Sequence, residues 1–578
     1  MADPVFTLTS RLHTAIAAAF GDDYADADPV LRPSDRADFQ ANAAMALAKT
    51  LGRPPRDVAA AIVEHLDTAE VIALAEVAGP GFINLTLADD FIARQVELAA
   101  ADPRLGVPAA EKADTVVVDY SHPNVAKEMH VGHLRSTIIG DALVRALEFL
   151  GHRVIRQNHI GDWGTPFGML IEHLLDVGED AAAHELSVGD LTAFYQEARK
   201  KFDADPGFGD RSRQRVVALQ GGDEATLRLW HLLVEESARY FTTVYGRLGV
   251  TLTDDDLAGE SIYNEWLPEV AAELENRGIA RVDDGALCAF PPGFAGREGE
   301  PLPLIVRKSD GGYGYQATDL AAIRYRVRTL GANRIVYVVD AGQGQHLAMV
   351  FAVAAEAGWL DGAVAEHAGF GLVLGKDKKR FRTRAGDTLK LSDLLDEAVE
   401  RASATIAEKN PELDPAERER VANVVGIGAV KYADLSNDRV KDYVFDWDRM
   451  LSFDGNSGPY LQYAHARIRS IFRRGEVDPA SLEGVAVVLS EPAERALALQ
   501  LLSFRQAVEA TVAHLQPHRL CTYLFELASA FTTFFEHCQV LRADTEDLRR
   551  SRLLLCDTTA RTLELGLGLL GISAPERM

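Results

Sequence analysis

Apolar residues in the last third of the chain recur at spacings of three and four, which places them on one face of a helix. Three such stripes predict helices that pack their apolar faces together in an antiparallel bundle. We interpret these positions as core and not as a ligand site. The stripes are Leu497, Leu501, Phe504, Val508, Val512 and Leu515, then Leu520, Leu524, Leu527, Phe531, Phe534 and Cys538, then Leu553, Cys556, Ala560, Leu563, Leu567 and Leu570.

A second pattern occupies the middle of the chain, where short β-branched runs alternate with a helical segment. Residues 115–120 are typical of a buried parallel strand, 134–150 of a helix, and 152–157 of a second strand. This β-loop-α-β order predicts a Rossmann-type, doubly wound parallel sheet. Further strands of the same sheet are expected at 304–306 and 334–339.

The chain of 578 residues is long enough for several domains. Ala-rich helical stretches and a possible strand at 82–86 predict an α+β N-terminal domain over residues 1–112. The parallel sheet would occupy 113–395, with a helical insertion at about 175–300, and the helical bundle would occupy 396–578. The predicted fold class is therefore α/β, with an α+β domain before the sheet and an all-α domain after it.

Composition narrows the class of protein only partly. The chain has 60 Lys and Arg against 86 Asp and Glu, a net charge of −26, which by itself favours a metabolic enzyme over a nucleic-acid binder. A local basic surface can nevertheless hold RNA on an acidic protein. No apolar run reaches the length of about 18 residues that a membrane span needs, and a cytoplasmic location is expected. The four cysteines include no C-x-x-C pair, so no zinc site is expected.

The segment most informative about chemistry is His130-Val-Gly-His133, between the first predicted strand of the sheet and its helix. A helix N-terminus at the end of such a strand offers N–H groups and a positive dipole end to phosphate. Gly132 would let a nucleotide base lie against the backbone, and the two imidazoles would bind triphosphate oxygens. The alternative is a chance string with a buried or metal-binding histidine, but the strand-loop-helix context favours nucleotide binding.

Residues 121–141 resemble the signature of the class I aminoacyl-tRNA synthetases, and specifically that of the arginyl enzymes. The resemblance implies activation of L-arginine with ATP and Mg²⁺ as the substrate complex, and transfer of arginine to tRNA(Arg). It also implies a monomer. Further matches follow the family's order along nearly the whole chain, at 158–164, 308–313, 318–325, 426–432, 445–453, 459–465 and 574–578.

The resemblance assigns ATP chemistry to the histidine motif and to a basic segment farther along the chain. The family's mobile Lys-Met-Ser-Lys-Ser loop corresponds to residues 380–384, where its second lysine falls on the uncharged Thr383. The family implies that Lys127 substitutes for that lysine. A solvated loop is the alternative interpretation of the basic segment. The implied catalytic residues are Lys127, His130, His133 and Arg384, and the implied ATP-binding residues are His130, Gly132, His133, His159, Lys379 and Arg380.

Selection of arginine requires groups that match a planar fork of donors. A guanidinium pairs best with a bidentate carboxylate and neutral acceptors, a geometry that an ammonium cannot reproduce. Tyr315 and Asp319 are four residues apart, so they share one face if that stretch is helical. Taken alone, Asp319 would more simply be a helix cap or a surface charge. By resemblance the arginine-binding candidates are Asp119, Asn124, Tyr315, Asp319 and Gln343.

For RNA, Tyr460, Tyr463 and Arg467 lie at helical spacing, and tyrosines can stack on unpaired bases. Without the family, the same stripe would be interpreted as core. The family places this helix, together with the C-terminal Met578, at the anticodon loop of the tRNA. It also implies that the N-terminal domain contacts the D-arm.

Two rival functions remain open. One is a small adenylyltransferase with the same histidine motif, although such enzymes are far shorter and lack the helical bundle. The other is a non-catalytic tRNA-binding synthetase paralogue, which the intact Lys127 and histidine motif argue against. His122 and Pro166 depart from the serine and glutamine that are common in the family at these positions. Both departures lie beside the expected site.

Overall fold

The N-terminal part of the protein packs helices against an antiparallel sheet, as the α+β prediction requires. The computed structural model describes residues 3–164, 166–178, 191–296, 298–379 and 389–578. The sheet has the strand order β1-β2-β4-β3. The elements are α1 (Pro4–Phe20), β1 (Leu31–Ser34), β2 (Ala37–Ala41), α2 (Ala43–Leu51), α3 (Pro55–His65), β3 (Ile72–Ala78), β4 (Phe82–Leu87) and α4 (Asp89–Ala101).

The middle of the protein is built on a parallel sheet of order β11-β10-β5-β6. Its elements are β5 (Thr115–Asp119), α5 (Val131–Phe149), β6 (Arg153–Gln157), α6 (Pro166–Val177), α7 (Leu191–Ala204), α8 (Pro206–Gln220), α9 (Glu224–Leu248), α10 (Leu267–Asn276), β7 (Ala280–Asp283), β8 (Ala286–Ala289), β9 (Leu304–Arg307), α11 (Tyr315–Arg328), β10 (Arg334–Tyr337), α12 (Gly344–Glu356), β11 (Val364–His367) and β12 (Val373–Leu374).

The order of the strands creates a crevice at one edge of this sheet. Residues 116–118 of β5 are fully buried, which explains the uninterrupted β-branched run. From β5 the chain passes to β6 on one side, and the later strand β10 pairs with β5 on the other. A ligand crevice forms where the strand order reverses in this way, outside the carboxyl ends of the strands. The Rossmann-type prediction is confirmed, and the crevice is where a ligand site is expected.

The prediction that residues 304–306 return to the parallel sheet is wrong. They form β9, which pairs antiparallel with β8 in a separate sheet of order β7-β8-β9. Leu304 and Val306 are buried whereas Ile305 and Arg307 are half-buried. Such alternation suits an antiparallel sheet that has one face on the core, and a short apolar run does not specify which sheet it joins. The predicted insertion is helical from α7 to α10 and then continues into the β7-β8 hairpin.

The C-terminal part is the predicted helical bundle, and every residue of its three apolar stripes is buried. The first stripe extends over two helices, because one helix ends before Ser503 and the next begins after it. None of the helices in the described residues is long and apolar enough to cross a membrane. The elements are α13 (Leu391–Lys409), α14 (Pro415–Leu435), β13 (Tyr443–Val444), α15 (Trp447–Met450), α16 (Gly458–Gly475), α17 (Pro492–Leu502), α18 (Phe504–His514), α19 (His518–His537) and α20 (Glu546–Leu569).

Buried ion pairs join these parts of the chain. Arg135 on α5 binds Asp434 on α14, with Nε 3.1 Å from a carboxylate oxygen and both side chains almost fully buried. The same guanidinium donates to the Gly371 carbonyl at 2.6 Å. Arg495 on α17 binds both oxygens of Asp38 at 2.7 Å, which ties the N-terminal sheet to the bundle. The bundle is therefore anchored to the edge of the site and to the N-terminal part.

We expect Asp434→Ala to lower the free energy of unfolding by about 3–5 kcal/mol, because it leaves the buried Arg135 guanidinium without its counter-charge. Urea denaturation followed by circular dichroism measures the change. Glu397→Ala is the matched control, since the Glu397–Arg401 pair on α13 is exposed and an exposed pair contributes about 0–1 kcal/mol. Equal losses of unfolding free energy in the two variants would show that the buried Arg135–Asp434 pair stabilises the fold no more than an exposed pair.

Candidate active site

The loop between β5 and α5 has a strained backbone that surrounding side chains hold in place. Ser121 and His122 have φ angles of 80° and 54°, in the left-handed region that non-glycine residues rarely adopt. The Ser121 N–H donates to the Ser136 hydroxyl at 2.8 Å, and the Ser121 hydroxyl lies 2.8 Å from that of Tyr245. Strain of this kind persists where the surroundings over-determine the conformation, as at functional sites.

The two histidines of the motif cap the start of α5. His130 Nδ1 accepts the Gly132 N–H at 3.0 Å, and His133 Nδ1 accepts the His130 N–H at 3.1 Å. Both Nδ1 atoms are therefore acceptors, which places the proton of each neutral ring on Nε2. The rings stack with their centroids 3.9 Å apart. The arrangement presents two Nε2–H donors at a helix N-terminus, a position that favours anions.

Burial keeps these imidazoles neutral. It lowers the pKa of His130, and the positive charge of Lys127 lowers it further. Burial and the neighbouring His130 lower the pKa of His133 to about 3. Both shifts favour the uncharged form of the rings.

The structure leaves no room for a side chain at Gly132, which its place in the motif does not reveal. A Cβ at this position would lie 2.7 Å from the His130 ring, at its Cε1 atom. The absence of a side chain lets the His130 ring fold over the first turn of α5 and accept the Gly132 amide. The glycine thus serves the histidine in addition to any approach of a nucleotide base.

A cavity of about 610 Å³ opens at the crevice between β5 and β10. Its walls come from the signature loop, from the start of α5, from the segment after β10 and from residues 370–373. Of the predicted residues, it brings together His130, Gly132, His133, Asn124 and Gln343. The departure His122 also lines it. Lys127, His159, Asp119, Tyr315 and Asp319 are not part of its lining.

Asp119 ends β5, and its two oxygens are occupied by groups of the chain itself. Oδ2 accepts from Arg326 Nη2 at 2.7 Å, and Oδ1 lies 2.7 Å from His122 Nε2. Burial alone would raise the pKa of Asp119, but the charges of Arg326 and His122 outweigh it and hold that pKa well below its ordinary value. Arg326 also donates to the Gln157 side chain at 2.6 Å. In this structure the carboxylate is a structural counter-ion.

Tyr315 and Asp319 lie side by side on α11, which confirms that their spacing of four places them on one face. His346 on α12 contacts both: its Nε2 lies 2.6 Å from Asp319 Oδ2, and its ring centroid is 4.9 Å from that of Tyr315. The Tyr315 ring is exposed. His346 fixes one oxygen of Asp319, and the arrangement can accept a further donor at the other.

The negative charges of both Asp119 and Asp319 act on His159. Burial lowers its pKa, although the negative charges of both Asp119 and Asp319 act in the opposite direction. Its ring stacks on Tyr263 with a centroid distance of 5.7 Å. Its Nδ1 is buried with no hydrogen-bond partner among the described residues. A buried polar atom in this state indicates a place where a ligand or a water molecule completes the site.

The described residues include only the first part of the basic segment. Lys379 is exposed in a turn, where its carbonyl accepts the Gly375 N–H at 2.8 Å. Arg380, Thr383 and Arg384 lie outside the described residues. On the far side of that segment, Lys390 binds Glu128 at 2.7 Å.

The sequence did not predict the roles of three basic residues. Arg326, Arg135 and His346 each neutralise or orient a carboxylate at this end of the sheet. Single basic residues on helices have no local signal, because their partners lie far away in the chain. The distance of 207 positions between Asp119 and Arg326 is an example.

A second cavity, of about 710 Å³, lies on the helical bundle at the C-terminus. It brings together Tyr463, Arg467 and Met578 of the predicted RNA-binding residues. The Arg467 guanidinium lies over the Phe535 ring at 4.5 Å. Tyr460 does not line this cavity, and its ring packs instead against Phe525 with a centroid distance of 5.8 Å. The remaining lining residues include the basic side chains Arg473, Arg474 and Arg577.

We expect the His133 imidazole to stay neutral from about pH 8 to about pH 5, because its pKa is lowered to about 3. The unfolded chain takes up this proton near an ordinary value of about 6.5, so His133 makes the fold less stable as the pH falls below that value. Imidazole NMR signals, assigned with a His133→Gln variant, measure the titration. Free histidine in the same sample is the control. A midpoint for His133 equal to that of the free amino acid would contradict the neutral donor.

Three family models match the chain in order. "Arginyl tRNA synthetase N terminal domain" covers residues 7–87, "tRNA synthetases class I (R), catalytic domain" covers 95–447, and "DALR anticodon binding domain" covers 461–578. The chain is 60% identical to arginine–tRNA ligase of Thermobifida fusca over 578 residues, which is all of both chains. It is 50% identical to that of Synechococcus elongatus over 588 aligned residues, again with all of both chains covered.

Solved structures agree with these relatives. Arginyl-tRNA synthetase from Plasmodium falciparum superposes with a TM-score of 0.86 at 29% identity, with 99% of each chain covered. Arginyl-tRNA synthetase of Thermus thermophilus gives 0.80 at 27% identity over 99% of this chain and 100% of its own. The catalytic-domain model alone matches more than half of the chain. The chain belongs to the arginine–tRNA ligases, a family of class I aminoacyl-tRNA synthetases.

Proposed function

We propose that this chain activates L-arginine with ATP to arginyl-adenylate and transfers the arginine to the 3′ end of tRNA(Arg), releasing pyrophosphate and AMP. The observation that carries the proposal is the carboxylate of Asp319. It stands on α11 beside Tyr315, with one oxygen held by His346. A carboxylate with a fixed orientation matches the fork of donors of a guanidinium. Asn124 and Gln343, which line the neighbouring cavity, supply the neutral acceptors.

Asp119 takes a different part in this proposal from Asp319. Both of its oxygens are bound by Arg326 and His122. We assign to it the placement of the signature loop and an electrostatic contribution to arginine binding. His159 lies within the field of both carboxylates. Its unsatisfied Nδ1 makes it a candidate contact to either substrate.

The first step joins the arginine carboxylate to the α-phosphate of ATP and expels pyrophosphate. No proton needs to move, so catalysis consists of positioning and of stabilising charge. The Nε2–H groups of His130 and His133 donate to phosphate oxygens without adding a charge that would need neutralising. Mg²⁺ enters as part of the ATP substrate complex. Lys127 supplies the positive charge that Thr383 lacks, and Lys379, Arg380 and Arg384 of the basic segment add to it.

The cavity of the bundle suits an unpaired RNA loop. Arginines around an exposed tyrosine combine attraction for phosphate with a face on which a base can stack. We therefore place the anticodon loop of the tRNA against Tyr463, Arg467 and Met578. The overall charge of −26 makes such a local basic surface necessary.

Several finer features belong to the same proposal. We propose domain boundaries near residues 112 and 395, a monomer, and a cytoplasmic location. The pairing of β12 with β13 links residues on both sides of the second boundary. The four cysteines are free and buried, which suits a reducing compartment. The rival function, a non-catalytic tRNA-binding paralogue, predicts binding of tRNA without formation of an adenylate.

We expect Asp319→Asn to reduce kcat/KM for arginine at least about tenfold, since a charge-assisted hydrogen bond contributes about 1.5–3 kcal/mol. The KM for ATP should stay within about twofold, because ATP does not use this carboxylate. Steady-state aminoacylation measures both constants. Glu356→Gln is the control, an exposed acid on the helix that carries His346. Unchanged arginine kinetics in Asp319→Asn would remove Asp319 from the pocket.

The two tyrosines of α16 should behave differently. Tyr463 is 45% exposed in the basic cavity. Tyr463→Ala should therefore raise the KM for tRNA, because the lost stacking costs about 1–3 kcal/mol of binding free energy. The melting temperature should stay nearly unchanged. Tyr460→Ala should instead lower the melting temperature, because this ring packs on Phe525. Aminoacylation kinetics and thermal melting are measured for both. The reverse pattern would place the RNA contact on the Tyr460 side.

A further inference from the structure

The helical insertion holds the backbone of the signature loop on both sides of Lys127. Three N–H groups of this loop donate to side chains on α7 and α9. These bonds run from Ala126 to Ser237 Oγ at 2.9 Å, from Glu128 to Thr192 Oγ1 at 3.3 Å and from Met129 to the Tyr240 hydroxyl at 3.2 Å. The insertion therefore sets the position of Lys127.

The side chain of Lys127 also lies against the insertion. Its Nζ is 4.1 Å from the centroid of the Tyr195 ring on α7. The neighbouring Glu128 binds Lys390 instead. Within the described ranges the Lys127 ammonium forms no salt bridge. Its positive charge nevertheless acts on His130 and His133, since it contributes to the lowered pKa of each.

We propose that Tyr195 is a positioning residue that holds the Lys127 ammonium in a fixed place on the signature loop, three residues before His130. A lysine side chain loses considerable rotational freedom when it binds phosphate, and a fixed starting position reduces that cost. A carboxylate would hold the ammonium as well, but it would neutralise the charge that the reaction needs. The face of an aromatic ring attracts a cation and leaves its charge intact. Tyr195 thus combines placement with an available charge.

This inference rests on the proposed phosphate role of Lys127, and it assigns the placement of that lysine to the insertion. Phenylalanine keeps the ring face and loses only the hydroxyl, whereas leucine removes the ring. Tyr195→Phe should therefore preserve the function, and Tyr195→Leu should not. The expected loss for Tyr195→Leu is about three- to tenfold in kcat, in line with the strength of cation–π contacts.

The test is arginine-dependent exchange of pyrophosphate into ATP by the full chain with tRNA present. We expect Tyr195→Leu to lower kcat and to leave the arginine KM within about twofold, and Tyr195→Phe to match the wild type. In a Lys127→Ala background, Tyr195→Leu should cause no further loss. Phe202→Leu is the matched control, since this half-buried ring on the same helix lies 5.7 Å from Arg199 and 5.6 Å from Arg213.

The outcomes distinguish the proposed role of Lys127 from the proposed role of Tyr195. A Lys127→Ala enzyme with normal exchange would overturn the role of Lys127 itself. If Lys127→Ala is impaired, three results would each overturn the role of Tyr195. The first two are a Tyr195→Leu enzyme as active as the wild type, and equal losses of kcat in Tyr195→Phe and Tyr195→Leu. The third is a further loss of kcat when Tyr195→Leu is added to Lys127→Ala. A loss of kcat and of melting temperature in Phe202→Leu equal to that in Tyr195→Leu would indicate general damage to the insertion and would also overturn it.

Discussion

The buried ion pair between Asp119 and Arg326 is the interaction on which the geometry of the site depends. Asp119 ends the central strand β5, and Arg326 reaches it from α11 at 2.7 Å. Loss of either partner would leave an uncompensated charge in the interior, at a cost of several kcal/mol. The same carboxylate holds His122 in the strained turn, and α11 also carries Asp319. One pair thereby fixes the signature loop and α11 relative to each other.

The carboxylates, imidazoles and lysine of the site have different roles in this arrangement. Asp119 is committed to the fold, which leaves Asp319 as the carboxylate available to a guanidinium. His130 and His133 are neutral donors because burial lowers the pKa of each. The positive charge comes from Lys127, at the edge of the insertion. In the proposed function, these separate charges would let a cationic amino acid and an anionic nucleotide bind side by side.

The elements of the fold were predictable where one face or both faces of a segment are buried, because burial imposes a period on the sequence. Residues 304–306 form a strand as predicted, but their sheet was not predictable, since a short apolar run is compatible with either sheet. The spacing of Tyr315 and Asp319 correctly indicated one helix face. The partners Arg326 and His346 were not predictable, because a long-range ion pair leaves no local pattern. Likewise, the contact of Lys127 with Tyr195 depends on how the insertion packs on the loop.

The central claim is that the pocket selects a guanidinium. The most direct measurement is aminoacylation of total tRNA with each of the twenty amino acids in separate reactions, with the purified wild-type chain and ATP. The account predicts esterification of arginine alone. Lysine should give no product above background, because a point-like ammonium cannot reproduce the planar set of donors that we propose binds Asp319, Asn124 and Gln343. Charging with lysine at a comparable rate, or no charging with arginine, would contradict the account.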